Sequence, residues 1–118
     1  MEYNELLSAA LAQDMRLPKN IADTLFWEVD GKYITFRELS EGHAQIDFDK
    51  MSYEKAREVT LKIYTESRYF RGKNIAYRPD DVLREIENGT DIGKNHVNSR
   101  LNMARLYYDL VKMGRFDW

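Results

Sequence analysis

Laid out at helical spacing, residues 95–113 put Val97, Leu101, Ala104, Tyr108 and Val111 on one stripe. Met103, Leu106, Tyr107, Leu110 and Met113 fill the flanks, leaving a narrow polar strip of Asn98, Asn102, Arg105, Asp109 and Lys112. A helix that is apolar around most of its circumference must be enclosed by neighbours on several sides. This segment is therefore expected to be the central core helix, stopped by Gly114. Phe116 and Trp118 should fold back onto the body, because burial of two aromatic rings would otherwise be forfeited.

The chain opens with a second amphipathic pattern. Leu6, Leu7, Ala10 and Leu11 share a face behind Asn4, a candidate N-cap. This helix should stop before Pro18, since the residue preceding a proline avoids helical geometry. Period two replaces period 3.6 over 24–37. Asp30-Gly31 is a two-residue hairpin turn, and closing the hairpin there pairs Val29 with Lys32, Trp27 with Ile34 and Leu25 with Phe36 on one face. Glu28 with Tyr33 and Phe26 with Thr35 fall on the other. After a turn at Ser40-Glu41-Gly42, Ala44, Ile46 and Phe48 alternate with Gln45, Asp47 and Asp49, which predicts a third antiparallel strand with an acidic face.

Helical spacing returns after Ser52, a plausible cap for a helix to about residue 70. Ala56, Val59, Ile63 and Phe70 lie inward, and Glu58 and Lys62 form an exposed pair. Gly72 suits its C-terminal cap. Pro79 fits the first turn of a short helix carrying Val82, Leu83 and Ile86, which Asn88-Gly89 should end. The prediction is an α+β fold: an N-terminal helix, a three-stranded antiparallel β-meander, then three helices with the C-terminal helix in the core. No repeat, low-complexity run or linker divides the 118 residues, so 1–118 reads as a single compact α+β domain.

Composition narrows the class of function. The protein is 43% apolar and 32% charged, which favours a globular domain over a disordered one. No apolar run approaches the roughly 20 residues of a membrane helix, and the first residues are acidic where a signal peptide is basic. A cytoplasmic protein with no membrane partner is expected. The absence of cysteine removes disulfides, thiolate nucleophiles and the usual structural zinc sites. Without a secretory signal, Asn88-Gly89-Thr90 reads as a helix stop and not as a glycosylation acceptor. The net charge of −2 conceals a split: residues 1–54 hold 5 Lys/Arg against 11 Asp/Glu, and residues 55–118 hold 13 against 9.

That split draws attention to residues 67–78. Arg68, Arg71, Lys73 and Arg78 are interleaved there with Tyr69, Phe70 and Tyr77, and no acid intervenes. Guanidinium groups pair with phosphates and aromatic faces stack on bases, so Arg68, Tyr69, Arg71, Lys73, Tyr77 and Arg78 form a candidate partner-binding surface for nucleic acid or acidic protein. A bland account is available too: cations at a helix C-terminus meet its dipole, and the rings seal the core. A second candidate is the start of the last helix. It runs from Gly93 through Lys94, Asn95, His96, Asn98 and Ser99 to Arg100, where free backbone N–H groups beside cations could hold an anion. Arg100, projecting from the apolar arc, is more simply explained by an ion pair.

Other chemistry finds weaker support. Helices over 79–88 and 95–113 could form a DNA-reading helix pair, but the second is too apolar to lie exposed in a groove. Asp47 and Asp49 at i, i+2 could share a hard cation with Glu54, although such a pair is more often just the wet side of an edge strand. Asp30-Gly31-Lys32 is accounted for by the hairpin turn, and His43 beside a turn glycine reads as a surface residue. No nucleophile, base and orienting group cluster along the sequence. No catalytic residue, metal or cofactor is assigned. The sequence thus favours a small non-enzymatic protein-protein interaction module, an adaptor or inhibitor docking on a larger protein or nucleoprotein. Accessory proteins of mobile elements or phage are often of this kind. The competing expectation is a nucleic-acid-binding protein using 67–78 and the start of the last helix.

Overall fold

The computed structural model describes residues 2–42, 44–70 and 79–118. Among them are five α-helices and one two-stranded antiparallel sheet: α1 (Tyr3–Ala12), β1 (Leu25–Val29), β2 (Lys32–Thr35), α2 (Phe36–Ser40), α3 (Tyr53–Phe70), α4 (Pro79–Glu87) and α5 (Asp91–Lys112). The class is mixed helix and sheet, as expected, with two strands in place of three. No described helix is long and apolar enough to cross a membrane. The protein folds as two compact units, residues 1–46 with 102–118 and residues 47–101.

In the first unit the hairpin turns at Asp30 (φ 52°) and Gly31 (φ 85°), the pair of left-handed residues that a tight hairpin needs. Val29–Lys32, Glu28–Tyr33 and Trp27–Ile34 pair as the alternation predicts, but the register then slips and Leu25 faces Thr35. The irregularity lets Phe26 and Trp27, which are consecutive, both become fully buried. Burying a ring of this size is worth roughly 2–3 kcal/mol, more than the about 1 kcal/mol of a missed ladder hydrogen bond. The expected Leu25–Phe36 and Phe26–Thr35 pairs are thereby lost.

Beyond the slip, β2 ends because Thr35 caps a helix that the alternation concealed. The Thr35 hydroxyl accepts the Glu38 N–H (3.1 Å), and the Glu38 carboxylate accepts the Thr35 N–H (3.0 Å), a reciprocal capping box. Phe36 then turns inward on α2, with its ring 5.0 Å from Phe26 and 5.8 Å from Tyr107. The expected third strand does not form. Residues 44–47 are irregular, and Phe48–Lys50 is a 3-10 turn whose N-cap is Asp47. The Asp47 carboxylate accepts the Asp49 N–H (3.1 Å), so these two acids form a turn and not the wet face of a strand.

Three helix ends close in the same way. Asp14 (φ 53°), Gly89 (φ 66°) and Gly114 (φ 74°) take the left-handed position. The next N–H reaches back five residues, from Met15 to Ala10 (3.0 Å), Thr90 to Glu85 (3.2 Å) and Arg115 to Leu110 (2.9 Å). Thus Glu2, not Asn4, holds the N-cap position of α1, without a side-chain capping bond, and the helix closes at its own left-handed residue, several positions before Pro18. After α5 the backbone runs beside the connector that follows α1. Leu17 N–H donates to Arg115 C=O (3.0 Å) and Asp117 N–H to Leu17 C=O (2.9 Å), a parallel bridge. Arg16 bonds Asp117, Arg115 bonds Asp14, and the Trp118 indole donates to Ser40 Oγ at 3.0 Å. Phe116 and Trp118 stack with centroids 4.6 Å apart. On α5 itself, Ala104, Leu106, Leu110 and Val111 are buried. Part of its polar strip is engaged: the Tyr3 hydroxyl bonds the Asp109 carboxylate, and the Arg105 guanidinium lies 3.9 Å from the Tyr3 ring centroid.

In the second unit Ser52 caps α3, its hydroxyl accepting the Lys55 N–H (3.1 Å). Ala56, Val59, Thr60 and Ile63 are buried along α3, as are Val82, Leu83 and Ile86 along α4 and Val97 on α5. Thr60 is fully buried, and its hydroxyl has no hydrogen-bond partner among the described residues.

The Thr60→Val substitution keeps the shape and removes that stranded hydroxyl, so it should raise unfolding stability by about 1 kcal/mol, read from denaturant midpoints. Thr35→Ala should lower it by about 1 kcal/mol through loss of the cap. The capping bond from the Thr35 N–H holds the Glu38 carboxyl below its usual range, and the Arg37 hydrogen bond does the same for Asp23. Both groups therefore stabilise the fold above the ordinary carboxylate range, and this contribution disappears as pH falls through their lowered values. Glu38→Gln should accordingly narrow the stability gap between neutral and acidic pH, measured by urea unfolding across that range.

Candidate functional site

Of the basic aromatic residues, Arg68 and Tyr69 fall in the last turn of α3, which extends to Phe70. Arg71, Lys73, Tyr77 and Arg78 lie outside the described residues, as does His43. The corner between α4 and α5 lies within the described residues.

This corner is set by residues 88–90. Gly89 supplies the left-handed turn, and Thr90 ends one helix while starting the next. Its N–H closes α4, and its Oγ accepts the Gly93 N–H at 3.1 Å, the bond of an N-cap. The Thr90 hydroxyl proton is directed to Glu85, where the carbonyl oxygen lies at 3.2 Å and the carboxylate is also a partner. The carbonyl end of α4 is neutralised from α3: Arg57 donates Nε to Ile86 C=O (3.4 Å) and Nη2 to Glu87 C=O (3.3 Å). A cation at a helix C-terminus also meets the negative end of the dipole.

Gly93 packs directly against this end. A Cβ there would stand 2.1 Å from the Glu85 carbonyl oxygen, 2.4 Å from its carbon and 2.7 Å from the Ile86 Cα. The first turn of α5 therefore approaches the α4 backbone more closely than any side chain permits. Gly93 is buried, and neither it nor Thr90 stands out by hydrophobic periodicity. The signal was the threonine after Asn88-Gly89, a cap for the next helix that overlaps the stop of the previous one.

α5 consequently begins at Asp91, four residues before the expected start. The first-turn amides belong to residues 91–93, beside the Asp91 carboxylate, and not to Asn95. Lys94 and Asn95 are exposed on the helix, His96 and Arg100 are half-buried, and the Lys94 N–H is bonded to Thr90 C=O at 2.9 Å.

What the corner does present is an outer face. Ile92, Asn95 and Ser99 follow helical spacing on one side of α5, and all three are exposed, Ile92 by 59%. None carries a charge. Asn98 is exposed beside them, with Asp91 and Lys94 at the margin. This exposed face begins at Ile92, ahead of the predicted segment 95–113, and lies opposite the buried Gly93 and Val97. Among the described residues no group of three or more histidines, aspartates and glutamates is placed to hold a metal ion.

Comparisons with protein-family models, curated proteins and solved structures find no match to this protein.

Gly93→Ala should destabilise the protein by at least about 2 kcal/mol, because the clash is with backbone and the gain in helix propensity is only about 1 kcal/mol. Chemical denaturation gives the size of the loss. Hydrogen exchange should place it in the first turns of α5.

Proposed function

We propose that this is a small non-enzymatic interaction protein, an adaptor or inhibitor that docks on a larger protein through the outer face of the first half of α5. The observation carrying this reading is that Ile92, Asn95 and Ser99 form an exposed face without a charge, in a protein that is 32% charged. Interface centres are depleted of charged residues, and neutral polar groups that find hydrogen-bond partners cost less to desolvate than charged ones. The helix is also held in advance by Thr90, Gly93 and the carbonyl end of α4, which lowers the ordering cost of binding. Exposed Asp81, Glu87 and Asp91 disfavour a phosphate backbone as the occupant, since Arg84 and Lys94 are the exposed cations among the described residues of α4 and this half of α5. The basic stretch containing Arg68, Tyr69, Arg71, Lys73, Tyr77 and Arg78 is a second contact in this proposal, toward acidic protein or the nucleic acid of a nucleoprotein. A cytoplasmic setting and the role of an accessory protein of mobile elements belong to the same reading.

Affinity capture with the tagged protein, with and without nuclease and at two salt concentrations, tests it. A discrete protein partner should survive nuclease and moderate salt and be lost with Ile92→Asp, which leaves the fold intact. Recovery of nucleic acid alone, lost on adding salt and abolished by replacing Arg68, Arg71 and Lys73 with Glu, would transfer the function to the basic stretch and sink the proposal.

A further inference from the structure

The geometry points to Asn88 as a site of spontaneous covalent modification: loss of its carboxamide ammonia and conversion to an isoaspartyl or aspartyl residue. This goes beyond the binding role and does not depend on it. The reaction requires the main-chain nitrogen of the next residue to reach the carboxamide carbon of the asparagine, so a following side chain hinders it and glycine does not. Of the seven asparagines, Asn88 alone precedes glycine. Asn4 lies inside α1, and Asn95, Asn98 and Asn102 lie inside α5, where regular helix fixes the backbone torsion and engages the next amide. Asn20 sits in a 3-10 turn ahead of the Ile21 N–H, which is bonded to Pro18 C=O at 3.3 Å. Asn74 is followed by Ile75 in the sequence.

Asn88 stands one residue past the end of α4, and both it and Gly89 are exposed. The Gly89 N–H is held by Ile86 C=O at 3.2 Å, a terminal bond that opens whenever the last turn frays. When it opens, the Gly89 nitrogen attacks the Asn88 Cγ. A new C–N bond forms, the carboxamide C–N bond breaks, and ammonia leaves with the proton given up by the Gly89 nitrogen. Water then opens the five-membered imide at one of its two carbonyls. The net change is loss of ammonia and gain of water, with one carboxylate added.

The isoaspartyl product has a structural consequence that the aspartyl product lacks. It places an extra methylene in the main chain between residues 88 and 89. The two bonds closing α4, Gly89 N–H to Ile86 and Thr90 N–H to Glu85, depend on the normal spacing there. Lengthening it displaces Thr90, which in turn positions Gly93 against Glu85. The modified corner should therefore loosen, whereas a plain aspartate only adds a charge beside Glu87 and the negative end of the helix dipole.

The folded protein is aged in mildly alkaline buffer and mapped by peptide mass analysis with isoaspartate detection. Asn88 should convert before every other asparagine, and Asn88→Gln should remove the leading product. The isoaspartyl form, separated chromatographically, should lose amide protection over residues 89–97, while the Asn88→Asp variant retains it. Prior conversion of another asparagine, no conversion of the folded protein while the denatured protein converts, or unchanged protection in the isoaspartyl form would each overturn the proposal.

Discussion

A carbonyl at a helix end can either face water or be covered, and in residues 47–101 the carbonyls of Glu85, Ile86 and Glu87 are covered from two sides. Gly93 lies against Glu85 with no room for a side chain, and Arg57 reaches Ile86 and Glu87. The direction in which α5 leaves the corner follows from this contact. A larger residue at 93 would force the helix start away from α4, and Thr90 could no longer serve both helices. The exposed row on α5 is thus aimed by backbone geometry and not by its own side chains.

The readable parts of the sequence were those in which one short-range rule acted without competition. Asp30-Gly31 set the turn and the nearest three pairs of the hairpin. Ser52 and Gly114 marked the start of α3 and the end of α5. The rule failed where two preferences shared the same residues. Phe26 belongs to an alternating pattern, yet burial of both Phe26 and Trp27 outweighs the regular ladder. Thr35 and Phe36 continue the strand pattern, and the capping box with Glu38 overrides it. Residues 44–49 alternate as a strand would, but Asp47 satisfies its backbone locally and no described strand pairs with them.

The candidate site was less legible than the fold. Periodicity marked 95–113 as a core helix with one polar strip, but it did not mark residues 91–94 as helix, so the exposed row that starts at Ile92 was not visible in it; Leu106 and Leu110 are covered, while Ile92 and Asn95 are not. Thr90 and Gly93 carry no hydrophobic signal, and their importance comes from contacts with Glu85 that only the folded corner reveals. The basic residues 67–78 remain a feature of composition.

The parallel bridge between Leu17 and Phe116 bears on how the protein acquires its structure. Residues 47–101 are contiguous, so their helices can form contacts as soon as that segment exists. The other unit is assembled from 1–46 and 102–118, and its closing bonds join positions about a hundred residues apart. Bringing such distant segments together carries a loop-closure entropy that local pairing avoids. During synthesis the hairpin can pair locally, whereas Phe36 meets the Tyr107 ring, and Leu17 its bridge partner, only after residues 102–118 have been made.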